Sequence, residues 1–299
     1  MPLELKLPPD TRSIELDEYI NILEEKNYDL TCQDDIISSA RYLKQLNNNK
    51  SFLINYLCDE LKDIDRFQKS NYYGPQVFII HTAEKYFIRA VVWNTVSQTE
   101  LAIKNYKYDI CHDHNFDILT IGYFGPGYES RCYTYENNNV TGILGEQINM
   151  TNEEIITLNE GKVLLYRAKK DIHIQLPPAG LSISLKIMPR SRKKNEPQFQ
   201  FDETKKQLCK YIQLSGSELI VRLAGIYGNE RYLELLDSIF KKTPNPHLKA
   251  HAAISMIKIS PALKSKVEKF INTANQPLVS DLFMKENLNY GASLDMFTT

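Results

Sequence analysis

Residues 110–128, ICHDHNFDILTIGYFGPGY, constrain the fold of this chain more than any other stretch. Ile118, Leu119, Thr120 and Ile121 form a short, mostly apolar run that leads into Gly-Tyr-Phe-Gly-Pro-Gly, the pattern of a buried strand closed by a tight turn. His112 and His114 stand at the mouth of that run, one residue apart. In a strand successive side chains point to opposite faces, so a spacing of two puts both imidazoles on the same face. Imidazole is the commonest neutral metal ligand, and such a pair is half of a metal site. A third of the six histidines, His173, lies in a second strand-like stretch, GKVLLYRAKKDIHIQLPP.

The same β character extends on either side. Segments 76–81, 86–93, 118–124, 131–135, 162–167 and 181–188 are short, rich in Val, Ile, Phe and Tyr, and separated by polar or Gly/Pro turns. That spacing predicts an antiparallel sandwich or barrel over residues 71–202. Within it, 136–141 reads as a turn, 152–160 as a short helix or acidic loop, and 198–201 as one more strand. Before it, a Pro-rich arm (1–13) leads to helices over 13–27 and 33–46 and to a third capped by Ser51, so that 1–70 is a helical region expected to cover a sheet edge. After it, 203–299 is helical again. Ser215 caps one helix, Asn229 opens the next, Pro244 and Pro246 break that one, and 250–259 forms another before Pro261.

Composition narrows the function classes. A net charge of −1 gives no global electrostatic attraction to nucleic acid or to an anionic membrane. No apolar run approaches membrane-spanning length, and the first residues lack a basic segment followed by an apolar one. Five scattered cysteines without a Cys-X-X-Cys pair suit reduced thiols, so a cytoplasmic location is expected. The basic run after Met188 reads as a solvated loop.

On these residues the chain resembles the cupin superfamily. The family's first motif, His-X-His followed by an acid and a strand ending near Gly, is matched by His112, His114, Asp117 and 118–122; the second is matched by Gly161, 163–167 and His173. Asp117 comes earlier than the family's acid and is shorter than its usual Glu, and Ala168 and Lys170 stand where Pro and Gly are expected. The resemblance covers about a third of the chain. It implies a mainly β core, a cupin-like double-stranded β-helix or jelly roll, flanked by N- and C-terminal α-helical regions. It also implies a metal held by His112, His114 and His173, with Fe(II) as the first expectation and Mn, Co, Ni or Zn as alternatives.

A three-histidine site is similar to that of thiol and cysteine dioxygenases, which implies a metal-dependent oxidoreductase, a dioxygenase or hydroxylase, acting on a small molecule or peptide. A triad of two histidines with Asp117 would instead be similar to a 2-oxoglutarate oxygenase. A non-oxidative hydrolase or isomerase, and a ligand-binding or scaffold protein without catalysis, remain the other readings. Three residues are candidates for work beside the metal. Asp117 is either a ligand, an acceptor that fixes a histidine tautomer or a base near the substrate, and its step of three from His114 sends it to the opposite face of a regular strand. Tyr123 could supply a hydroxyl near the metal. Arg89 is either an outward charge or an anchor for a substrate carboxylate. Residues 232–259 resemble a HEAT-type helical repeat and offer a surface for a protein partner, a second copy of the chain being another. His247 and His251, four apart on a helix, lack a third ligand, and His81 reads as structural.

Overall fold

The computed structural model describes residues 1–69, 71, 73–95, 108–190, 197–212, 216–273 and 276–293, side chains of 286–293 excepted. The expected Ser215 cap and nearly all of the basic run after Met188 lie outside the described residues. The chain divides into two compact units, Met1–Asn137 with Asn149–Lys193, and Asn138–Ile148 with Lys194–Thr299.

The first unit is mainly antiparallel β, as the sequence predicts. Its larger sheet has six strands in the order β1, β7, β4, β9, β3, β2. These are β1 (Leu3–Glu4), β2 (Val77–Thr82), β3 (Tyr86–Trp93), β4 (Ile118–Phe124), β7 (Val163–Tyr166) and β9 (Ser182–Pro189). The smaller sheet runs β6 (Thr151–Thr157), β5 (Glu129–Thr134), β8 (Asp171–Gln175). Alternation along β4 shows how the large sheet is used. Leu119, Ile121 and Tyr123 join a core with helices α1 (Leu16–Glu25), α2 (Gln33–Asn48) and α3 (Phe52–Glu60). Ile118 points the other way, into a second core shared with the small sheet through Tyr128, Cys132 and Ile156. The jelly-roll-like sandwich therefore has helices on one outer face and a lined interior between its sheets.

Several local expectations need correction. The N-terminal helices cover a face of the large sheet and share its core, so residues 1–70 are not separate from the β region. The β7 edge is covered instead by the arm, Leu3 pairing with Leu165. Ser51 does not cap α3; the Asn49 carboxamide accepts from Phe52 N at 3.2 Å. Residues expected as a helix or acidic loop form β6, whose sequence TNEEIIT is mostly exposed and suits the outer strand of the small sheet. The Gly-Pro-Gly turn after β4 does need its glycines: Gly125 and Gly127 have φ of 84° and 86°.

The second unit contains a hairpin that the sequence reading only half found, β10 (Phe199–Asp202) with β11 (Gln207–Tyr211). Residues 138–148 join it through Gly145 N to Leu208 O and Ile148 N to Lys206 O, both 2.8 Å, so a boundary at 202/203 cuts through a bonded structure. Helices α4 (Gly216–Tyr227), α5 (Leu233–Lys242), α7 (Lys264–Thr273) and α8 (Pro277–Ser293) accompany α6 (Pro246–Ile259). The last begins with Pro246 in its first turn and the Asn245 side chain accepting from Leu248 N at 3.0 Å. α6 is buried around most of its circumference and packs on α4, α5 and α8, an arrangement about one central helix.

His247 and His251 lie buried on α6, the former with its ring edge-on to Tyr211 at 4.4 Å. Burial lowers both to about 4, from the ordinary 6.5. The unfolded chain takes up protons below pH 6.5 that these folded groups refuse. Their contribution to stability is therefore complete above 6.5 and is lost as pH falls toward 4. We expect urea stability followed by helical circular dichroism to drop by a few kcal/mol from pH 7 to 4.5, at about 1.4 kcal/mol per pH unit per site. A His247→Gln, His251→Gln chain should show a flatter pH profile, and an unchanged profile would contradict this account.

Candidate metal centre

The site begins with a pairing. His112 and His173 lie directly opposite each other in an antiparallel bridge, His112 N to His173 O at 3.1 Å and His173 N to His112 O at 2.9 Å. Directly opposed residues carry their side chains on the same face, so the bridge brings two imidazoles from distant segments together. His114, two residues on, joins them. Ligand atoms of the three rings all lie within 4.8 Å of one another, and this is the metal-competent group among the described residues.

The chemistry of the donor set fits a cation. His112 Nδ1 lies 2.8 Å from Ile110 O, which places a proton on Nδ1 and leaves Nε2 with a lone pair. His173 Nε2 is 3.2 Å from that atom and 3.3 Å from the Gln175 carboxamide nitrogen, a donor. The two ring nitrogens thus face each other, joined by either a shared proton or a cation held between them. Two nitrogens each about 2.0–2.1 Å from one ion at roughly right or tetrahedral angles are separated by about 2.8–3.4 Å, and the observed spacing falls in that range. His114 and His173 are held well below the ordinary histidine value, first by burial and then by the neighbouring imidazoles. They stay neutral, the form that binds metal. Tyr166 packs edge-on against the His173 ring at 4.5 Å, and Phe116 packs at a tilt against His114 at 5.1 Å.

What fixes this geometry is the link between β7 and β8. The Arg167 guanidinium grips Asp171 through Nε at 3.0 Å and Nη2 at 2.7 Å, closing the two ends of the link. Asp117 Oδ1 accepts from Ala168 N at 2.7 Å, and His114 O accepts from Lys169 N at 2.8 Å. Asp113, between the two ligand histidines in sequence, is fully buried on the opposite side; it accepts from Lys169 Nζ at 2.9 Å and from the Tyr135 hydroxyl at 2.7 Å. Lys169 has φ of 55°, a conformation glycine adopts freely and a lysine does not. The ion pair to Asp113 offsets that cost where the resemblance leads one to expect a glycine nearby.

Of the residues the sequence singled out, the three histidines converge. Asp117 does not join them; its carboxylate accepts from the Ala168 backbone N–H, and because the chain bends at Asn115 and Phe116 ahead of β4 this placement does not follow from strand parity. Tyr123 is a correction. It faces the helices, its hydroxyl donating to Asn49 O at 3.0 Å, its ring edge-on to Phe52 and under Lys50, and burial pushes it up to about 12. Parity decides this, because Tyr123 shares the outer face of β4 with Leu119 and Ile121. Arg89 lies on the interior side of β3, opposite Lys186 of β9 in the register and with its guanidinium 5.0 Å over the Tyr73 ring.

Sequence reasoning passed over Asp113, Lys186 and the interior role of Tyr128. Lys186 sits in an apolar run, SISLKIMP, where strict alternation with Ser182 and Ser184 was the available signal. It is 4% exposed, with its ammonium 5.0 Å from the Trp93 ring and 5.8 Å from that of Tyr128. Burial, and then Arg89, hold it well below the usual lysine value.

No protein-family model matches the chain, and neither does any curated protein. Among solved structures, part of it overlays on hydroquinone 1,2-dioxygenase from Sphingomonas sp. TTNP3 at 9% identity and TM-score 0.27, over 41% of this chain and 70% of that one. It also overlays on a salicylate 1,2-dioxygenase from Pseudaminobacter salicylatoxidans at 9% identity and 0.25, over 46% and 33%. A cupin-2 domain from Rhodospirillum rubrum matches at 10% identity and 0.20, over 43% and 66%. Scores this low give those proteins no bearing on what this chain does, and the site stands on its own geometry.

Two substitutions separate ligands from their supports. Asp117→Asn keeps an oxygen for Ala168 N, so metal stoichiometry should match that of the parent protein. Asp113→Ala leaves Lys169 buried without its carboxylate and should cost about 3–5 kcal/mol in denaturant unfolding. Loss of metal in Asp117→Asn, with the fold intact by circular dichroism, would make the acid a ligand after all.

Proposed function

We propose that this chain is a mononuclear metal-dependent oxygenase that holds Fe(II) on His112, His114 and His173 and uses dioxygen to oxidise a small molecule. The observation that carries the reading is the convergence of three imidazoles in the sandwich interior, with the nearest candidate acid, Asp117, engaged on the Ala168 backbone. A ferrous ion with three protein ligands keeps exchangeable positions, enough for dioxygen and a substrate atom together.

The chain's own residues do the rest. Ile110 O fixes the His112 tautomer so that Nε2 faces inward. The Gln175 carboxamide lies beside His173, its nitrogen 3.3 Å from Nε2. Trp93, Tyr128, Phe116 and Tyr166 belong to the interior core and keep bulk water from the histidines. Of the other divalent ions Ni and Zn suit imidazole as well, Mn and Co being further alternatives, and a neutral ligand set would leave the full charge of the ion at the site. A 2-oxoglutarate oxygenase would need a carboxylate among the ligands, a part Asp117 does not take in this geometry.

Metal analysis of protein purified without chelator, followed by anaerobic treatment with nitric oxide, tests the proposal. Near-stoichiometric iron and a high-spin ferrous nitrosyl signal in electron paramagnetic resonance are expected, both lost in His173→Ala. Tightly held zinc without a nitrosyl signal would favour hydrolysis or isomerisation, and a folded protein without metal would point to a binding role; either result overturns the oxygenase.

A further inference from the structure

The interior face of the large sheet carries a cation where packing alone would call for an aliphatic residue. Lys186 stands at the middle of β9, paired in register with Arg89 on one side and Thr120 on the other. No hydrogen bond or ion pair engages its ammonium among the described residues, and it is 4% exposed. Its contacts with Trp93 and Tyr128 are cation–π contacts, at 5.0 and 5.8 Å. Such contacts offset part of the cost of burying the charge. Burial without a counter-charge disfavours the ammonium form, and the aromatic rings offset only part of that cost, so an anion beside Lys186 is what would stabilise its charge.

A second unmet donor lies beside it. Tyr128 is buried, packs on Trp93 with ring centroids 4.1 Å apart, and its hydroxyl is without a hydrogen-bond partner, although Tyr166 and Gln175 are close. Tyr166 in turn packs on His173, so this pair of donors and the histidines line one interior. Arg89 adds a second positive charge on the same face. A ligand that meets an ammonium and a phenol together must supply acceptors, and two positive charges select one that is negative.

We propose that Lys186 and the Tyr128 hydroxyl form the recognition point for a carboxylate on the molecule that the histidine centre acts on. The inference rests on the oxygenase reading for what happens to that molecule, but carboxylate recognition is a property of these two residues and is measured separately. The carboxylate oxygens accept from Lys186 Nζ and Tyr128 Oη, and the remainder of the molecule extends toward His112, His114 and His173. The substrate class is therefore a small organic acid.

Trp93 is the one tryptophan of the chain and lies under the Lys186 ammonium, so its fluorescence reports occupancy at this point. Full-length protein is titrated with acetate, butyrate and benzoate, each against its amide. At least one acid should bind about 10-fold or more tightly than its amide, the ratio expected from a charge-assisted hydrogen bond of about 1.5–3 kcal/mol. Lys186→Met should remove that preference, and Tyr128→Phe should reduce it. Equal response to acid and amide in the unmodified protein, an arm that needs no variant, overturns the proposal. So does a preference that survives Lys186→Met, which would place the carboxylate on the metal instead. Iron content and the nitrosyl signal are read on the same preparation. A carboxylate preference without iron refutes the oxygenase and leaves this inference standing, whereas iron with a nitrosyl signal and no preference does the reverse.

Discussion

The backbone bridge between His112 and His173 is the constraint on which the site depends. Two hydrogen bonds, 3.1 and 2.9 Å long, extend the small sheet by one pair and set two imidazoles side by side. Everything nearby serves that register. A slip of one residue would send His173 to the outer face and bring Ile172 or Ile174 in its place. The Arg167–Asp171 clamp, the Asp117 contact with Ala168 and the Asp113–Lys169 pair all act on the short link that decides where β8 begins. Asp113, Asp117 and Asp171 are thus engaged with Lys169 and Tyr135, with the Ala168 backbone and with Arg167, and none of them joins the three histidines.

Charge distribution follows from the same division of labour. Acids that could have joined the metal face outward or into the link, while the interior keeps two cations, Lys186 and Arg89, opposite each other in register. Cations near neutral histidines make protonation of those rings still harder, and Arg89 and Lys186 both lower His114. An interior of this kind favours a neutral imidazole cluster, a divalent ion and an anionic ligand together, because each satisfies a demand set by the others.

The N-terminal helices and the large sheet illustrate how one strand serves two cores. Leu119, Ile121 and Tyr123 of β4 belong to the helix-covered face, and Ile118 and Thr120 to the interior. A strand buried on both faces reads as an uninterrupted apolar run. Such a run gives no sign of which face carries chemistry. That is why Tyr123 was an attractive candidate in sequence and is a packing residue in space.

The sequence by itself determined the β core, the helices before and after it, and the three histidines. Those features are local: period-two alternation, Gly-Pro-Gly, the spacing of His112 and His114, and caps such as Asn245 depend on residues only a few places apart. Only the tertiary structure decided that residues 138–148 belong with the 199–211 hairpin, that β6 is a strand, and that Asp117, Asp113 and Lys169 hold the β7–β8 link. It alone placed Lys186 and Tyr128 in the histidine-lined interior. Each of these rests on partners far apart in the chain, 58 positions for Tyr128 and Lys186 and 63 for Gly145 and Leu208. The energy of a buried ammonium or carboxylate is fixed by what surrounds it, and those surroundings exist only once the sheets have closed.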